Sequence, residues 1–309
     1  MSENGIHHVT AYSGPAHRNL DFYTRVLGLR LVKRTVNFDD PGTYHLYYGD
    51  AAGRPGTILT FFPIAHAAPG RAGIGETSET AFRVPAGSMG WWVHRFVERG
   101  VTHEAIVQVF GAPTLRFRDP DGMMLALVGG EADGEASAWD GGDVPAEHAI
   151  RGFHGVTLLL GEAGPTAAIL TDVLGFAEAG REGTAIRYAS GAELGGFVTL
   201  RAVGEFLRGR PGAGSVHHVA FRAADDAAQT TMAARLTQAH GLAVTEQRDR
   251  NYFRSVYFRE PGGVLFEIAT DEPGFAVDEP AEALGTQLKL PAFLEPQRTR
   301  IEAVLPAIA

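Results

Sequence analysis

Two stretches of the chain carry adjacent histidines inside runs that otherwise read as strands. They are GIHHVTA, residues 5–11, and SVHHVAF, residues 215–221. A third stretch, VLFEIAT, residues 264–270, sets Glu267 among apolar neighbours. Neutral imidazoles and an ionised carboxylate are ligands for a divalent metal. Two histidines and one carboxylate cap one face of an octahedral ion and leave other positions open, as in non-haem Fe(II) oxygenases. Catalytic zinc uses the same residue types, so ligand type alone does not choose the ion. A carboxylate in an apolar strand is costly unless it meets a metal or a cation; the bland alternative here is an ion pair with Arg250. Adjacent side chains of a regular strand point to opposite faces. Only one histidine of each pair is therefore expected to be a ligand. His8 and His218 are taken as those ligands, with Thr10 on the face of His8, and His7 and His217 packing or supporting.

The elements that must position these residues repeat along the chain. GIHHVT (5–10) matches GFHGVT (152–157), and FYTRVLGL (22–29) matches ILTDVLGF (169–176), both at an offset of 147. RFRDPDGMML (116–125) matches YFREPGGVLF (257–266) at an offset of 141, which ERGV (98–101) and AHGL (239–242) share. Two matches in one register point to duplication. Differences between copies then become informative. His8 aligns with Gly155, His218 with Glu79, and Glu267 with Ala126 and, in the other two units, Thr60 and Leu200. One complete metal set is expected, not two.

Each unit reads as a strand, a helix and three strands. In the first, a helix at about 16–27 buries Leu20, Tyr23, Val26 and Leu27 and ends at Gly28. The strands that follow are rich in β-branched and aromatic residues. The other units fall at roughly 77–129, 152–203 and 214–270. The fold class predicted is α+β: four βαβββ modules in two halves, with curled mixed sheets around clefts. The halves span 1–130 and 152–275. A Gly/Asp/Glu-rich, solvated linker occupies 131–151, and a tail of 276–309 holds a short amphipathic helix within 290–306, packed on a module or on a second subunit. PGRAGIGETS (69–78) lacks the Lys-Ser/Thr ending of a phosphate loop and leads into no helix.

Composition removes other classes. A net charge of −9 argues against a nucleic-acid binder. No apolar run approaches a membrane span, and the first strand begins too early to leave room for a signal peptide. With no cysteine, thiolate metal sites and disulfides drop out. A cytoplasmic enzyme is the simplest expectation.

GIHHVT, FYTRVLGLRLVKRTVNFDDPGTYHLYYGD, SVHHVAF, RDRNYFRSVYFREPGGVLFEIATDEPGF and LPAFLEPQRTRIE together resemble the vicinal oxygen chelate superfamily, closest to its ring-cleaving dioxygenases of the hydroquinone 1,2-dioxygenase type. The resemblance covers nearly the whole chain. It implies an enzyme that uses O2 and Fe(II), with Mn(II) as a second option, to open a dihydroxylated aromatic ring, hydroquinone being favoured over catechol. His8, His218 and Glu267 match its metal ligands. Arg250 and Tyr257 match active-site residues, and Thr10, His7 and His217 match residues around the substrate. Gly155 departs from the catechol extradiol pattern, which favours a site joining the first and last modules. Proton transfer is expected of His7 or His217, and substrate binding of Thr10, Arg250 and Tyr257. The partners expected are a small aromatic diol and O2; a homo-oligomer is left open. His45, His154 and the Trp91-Trp92 pair are read as packing. The rivals are a glyoxalase-like Zn(II) or Ni(II) isomerase or lyase, which would want a second carboxylate that Glu79 alone could offer, and a non-catalytic protein that sequesters small aromatics.

Overall fold

The computed structural model describes residues 4–130 and 139–308. Each of the four modules supplies four strands. The first gives β1 (Ile6–Ser13), β2 (Arg30–Asn37), β3 (Asp40–Gly49) and β4 (Ile58–Pro63); the second gives β5 (Glu76–Pro85), β6 (Val107–Val109), β7 (Ala112–Arg118) and β8 (Met124–Gly130). The third gives β9 (Phe153–Leu160), β10 (Ala177–Glu182), β11 (Ala185–Ala189) and β12 (Phe197–Ala202); the fourth gives β13 (Val216–Ala223), β14 (Arg248–Asp249), β15 (Phe253–Arg259) and β16 (Leu265–Pro273). A helix follows the opening strand of each module: α1 (Ala16–Asp21), α2 (Met89–Glu98), α3 (Gly164–Asp172) and α4 (Asp226–His240). The tail carries α5 (Arg298–Val304).

The helix predicted at about 16–27 is α-helical only to Asp21 and widens to a π-turn over Phe22–Val26. Gly28 then takes φ +72° beneath Val144, where a Cβ would collide with that side chain. In the fourth module Asp225 accepts a hydrogen bond from the Ala228 N–H at the start of α4, and Gly241 ends the helix at φ +64°.

The strands form two mixed eight-stranded sheets. One runs β14-β15-β16-β13-β1-β4-β3-β2, the other β10-β11-β12-β9-β5-β8-β7-β6. The first sheet thus joins the first and last modules and the second joins the middle two. In both, the opening strands pair antiparallel at the centre, β1 with β13 and β5 with β9.

Each central pair carries two β-bulges. Ile6 faces Phe221 and His8 faces Ala220, so His7 is an extra residue in β1; Thr10 faces His218 and Ala11 faces Val216, so His217 is an extra residue in β13. His154 and Ser78 hold the matching positions in β9 and β5. The bulge lets Ile6, Val9 and Ala11 all enter the main core while His8 and Thr10 share the cupped face. The core itself spans both sheets and their helices, with Trp92, Tyr23, Phe61, Phe82, Phe153 and Phe221 fully buried. Trp92 is core as expected, and Trp91 stacks on His148.

Part of the predicted linker, residues 131–138, lies outside the described residues. Its remainder is not simply solvated, because Val144, Ala149 and Ile150 are buried. The tail packs on the first module. Ile301 of α5 joins Val36, Leu290 and Leu294 in a small cluster, and buried Lys33 of β2 pairs with Asp278 and Glu279.

Candidate metal centre

Register brings three distant residues together. Ala220, two residues after His218, lies between His8 on β1 and Glu267 on β16. One ligand atom each from His8, His218 and Glu267 lies within 4.8 Å of the others, and all three side chains are buried. His8 Nε2 is 3.2 Å from His218 Nε2. Glu267 Oε2 is 2.9 Å from His218 Nε2 and 3.5 Å from His8 Nε2. This is the one such cluster among the described residues.

The donor set suits a cation. Ser255 Oγ donates to Glu267 Oε1, which turns Oε2 inward, where it is buried without a hydrogen-bond donor of acceptable geometry. The other ring nitrogens are taken as well: His8 Nδ1 lies 3.0 Å from His7 Nδ1, and His218 Nδ1 lies 2.8 Å from His217 Nδ1. A proton on Nδ1 of His8 and of His218, donated to the neighbouring imidazole, leaves both Nε2 lone pairs aimed at Glu267. Three electron-pair donors then converge on one point, the arrangement a divalent metal resolves. Burial lowers the pKa of His218 despite Glu267, and lowers His7 well below the usual value. His217 falls to about 3 through burial and then the neighbouring His218. Burial opposes the charge on Glu267, but in the metal-free protein an imidazole that turns an Nε2 proton toward it outweighs burial and holds the carboxyl well below its usual range.

A cavity of about 240 Å³ opens beside these ligands, lined in part by Tyr12, Phe62, His217, Arg250, Phe253 and Tyr257. Tyr257 stands directly opposite Glu267, because the hairpin joins β15 and β16 through the five residues from Glu260 to Val264. Arg250 does not pair with Glu267. Its Nε donates to Tyr257 Oη at 3.2 Å and its guanidinium also donates to Asp39 Oδ2 at 3.1 Å. Burial raises the Tyr257 pKa, so its O–H stays available to donate into the cavity.

Other expectations fare differently. Thr10 does not line the cavity; it is wholly buried and accepts from Thr60 Oγ1, which in turn meets His45 Nε2 at 2.8 Å. His7 is also set back, against Phe253 and His8, so it reaches the cavity only through His8. His45, read as packing, lines the cavity and bonds Tyr47 Oη through Nδ1. Ser255, Phe253 and the Asn37–Asp39 turn were not singled out from sequence. The period-two spacing of Ser255 from Tyr257 was the available signal for the first of these. Glu79 lies in the other sheet, paired with Arg116, and adds no second carboxylate. Thr199, rather than Leu200, is the third-module counterpart of Thr60, since Thr60 pairs with Thr10 and Thr199 with Thr157.

A family profile described as the Glyoxalase/Bleomycin resistance protein/Dioxygenase superfamily matches residues 5–127. The chain is 49% identical over 298 residues to "Putative ring-cleaving dioxygenase MhqO" of Bacillus subtilis, covering 96% of this chain and 94% of that one. It is 37% identical over 302 residues to "Chlorohydroquinone/hydroquinone 1,2-dioxygenase" of Sphingobium indicum, covering 94% and 92%. The crystal structure of a "putative dioxygenase" from Bacillus subtilis superposes with a TM-score of 0.94 at 48% identity, covering 99% of this chain and 97% of that one. Glyoxalase I from Zea mays, 14% identical with a TM-score of 0.66 over 87% and 92% of the chains, shares the fold.

Proposed function

The chain belongs to the Glyoxalase/Bleomycin resistance protein/Dioxygenase superfamily and is a ring-cleaving dioxygenase within it, and we propose that it opens a para-dihydroxylated aromatic ring at a metal held by His8, His218 and Glu267. The family implies a metal, an aromatic substrate and O2; the finer reading is Fe(II), with Mn(II) as the second option, and a hydroquinone. The observation that carries it is the inward-facing, donor-less Oε2 of Glu267 between two imidazole nitrogens, at the head of a cavity lined by Arg250 and Tyr257. The name of the Sphingobium indicum relative supports the hydroquinone class.

When bound, the metal would acidify a ring hydroxyl and bring substrate and oxygen together. The chain's own residues do the rest. Ser255 fixes the carboxylate rotamer, and His7 and His217 orient the two ligand imidazoles. Tyr12, Phe62 and Phe253 supply aromatic walls that shield the ring from water. Tyr257 donates its O–H to a substrate oxygen, and Arg250 offsets the negative charge that grows there. His217 borders the cavity; with its Nδ1 accepting from His218, its proton sits on Nε2, so it serves as a hydrogen-bond donor rather than a base.

The test is oxygen uptake by anaerobically Fe(II)-loaded protein with hydroquinone and catechol panels. Metal-dependent uptake with a ring-opened chromophore, greater for hydroquinones and absent in His218→Ala, is expected. Uptake confined to catechols would overturn the substrate class. Stoichiometric metal binding in the variant His218→Ala/Glu267→Ala would overturn the ligand assignment.

A further inference from the structure

The second sheet cups a cleft of its own that the metal chemistry does not use. Its residues occupy the places of the metal site. Gly155 stands where His8 would be, Ala126 where Glu267 would be, and Glu79 where His218 would be, by the matching registers of the two central strand pairs. A side chain cannot be restored at Gly155, since a Cβ there would sit 2.2 Å from the Phe197 carbonyl oxygen. Glu79 is neutralised by Arg116. The cleft is about 660 Å³ at its mouth and narrows toward His154 and Phe197.

What replaces the metal set is a row of hydrogen-bond donors. Arg187 pairs across the sheet with Thr199, and Thr199 with Thr157. All three line the cleft. Among the described residues neither threonine hydroxyl has a hydrogen-bond partner, whereas their counterparts Thr60 and Thr10 bond each other in the metal cleft. Arg187 has no ion pair or hydrogen bond among the described residues either, and its Nε is buried without an acceptor. Its guanidinium lies 4.0 Å from the Phe110 ring centre and 5.2 Å from that of Phe197. Phe110 presents its ring from a two-residue hairpin turn at φ +49°, a left-handed conformation that a bulky side chain rarely adopts. His154 stacks on Phe197, and its Nε2 is also buried without a partner.

We propose that this second cleft binds a small, flat carboxylate, with its two oxygens on the Arg187 guanidinium and the Thr199 and Thr157 hydroxyls and its apolar body against Phe110. A planar guanidinium matches a carboxylate through two parallel hydrogen bonds. The cleft walls carry four arginines and three glutamates, a balance of one positive charge that favours a monoanion over a phosphate dianion. This site is independent of the metal centre.

The experiment is calorimetric titration of benzoate into the full chain, with inorganic phosphate as the second anion. Benzoate is expected to bind wild type and Arg250→Gln alike, which shows that binding does not come from the cationic group of the metal cleft. Arg187→Gln should weaken it by about tenfold or more, and Arg187→Lys, which keeps the charge and loses the fork, should fall between. Thermal melts establish that each variant is folded; should Arg187→Gln not fold, Thr157→Val/Thr199→Val carries the same expectation. Equal binding to folded Arg187→Gln, loss of binding in Arg250→Gln alone, or no binding to wild type would overturn the proposal. Phosphate bound as tightly as benzoate would overturn the carboxylate class.

Discussion

Glu267 is held by one oxygen and left open at the other. Ser255 fixes Oε1, and Oε2 faces two imidazoles and no proton donor. Burial disfavours this charge but the facing imidazoles hold it, so without metal Glu267→Gln, of the same volume, should be no more stable than wild type. The difference appears on adding Fe(II) or Mn(II) anaerobically: wild type should gain about 2.7 kcal/mol at a free metal concentration a hundredfold above its Kd, and the variant far less. Melting curves with and without metal read both outcomes; equal stabilisation would remove Glu267 from the ligand set. His7 acts one step further back. Its Nδ1 lies against His8 Nδ1, so His7→Ala removes the group that orients the His8 ring. Metal affinity should fall by about 10–100-fold while the secondary structure, read by circular dichroism, is unchanged.

At the scale of elements, the bulges decide which histidines face inward, and the β-hairpins anchor the helices. The β7–β8 hairpin uses Asp119, which accepts from the backbone N–H groups of Asp121 and Met123 and from Tyr23 Oη. The β15–β16 hairpin repeats the device with Glu260, which accepts from Gly262 and Val264 N–H and from Thr166 Oγ1. Each thus ties a hairpin to a residue of the preceding module. Burial raises the Asp119 pKa from 3.8 to about 6 against these hydrogen bonds. A carboxyl raised on folding makes the protein most stable below its unfolded pKa, and that stability is lost as pH rises through the folded value. A rise from 3.8 to about 6 corresponds to a loss of about 2 kcal/mol between pH 4 and 7. Asp119→Asn should abolish that loss, so urea denaturation at several pH values should show the variant gaining on wild type as pH rises. A constant difference across the range would show that Asp119 does not titrate this way.

At the scale of the whole molecule, the first and last modules are locked by sheet pairing and by the tail. Lys33 is wholly buried, and its ammonium meets Asp278 and Glu279 from the segment that follows β16. Lys33→Met leaves two carboxylates without their cation and should cost about 3–5 kcal/mol. Adding Glu279→Gln should recover part of it. Chemical denaturation of the single and double variants tests this, and a single variant as stable as wild type would show that the strap is not held by charge. Closing the metal site depends on the same architecture, since His8 comes from the first module and His218 and Glu267 from the last.

Much of this was already written in the residues. The repeats at offsets of 147 and 141 set four βαβββ modules, because a duplicated hydrophobic pattern folds to a duplicated unit. His8, His218 and Glu267 stood out because their counterparts Gly155, Glu79 and Ala126 cannot form the same set. Parity did not reveal everything. A regular strand alternates its faces, whereas the bulges at His7 and His217 break that alternation, and a bulge depends on how two distant strands register. Thr10 has the right face for the site yet is covered by Thr60 and reaches His45 only through it, and His45 entered the cavity where packing was expected. Local sequence thus determined the modules and the ligand types. Tertiary pairing decided which strands meet, which rings turn inward and which donors remain unpaired, because those outcomes depend on contacts between residues hundreds of positions apart.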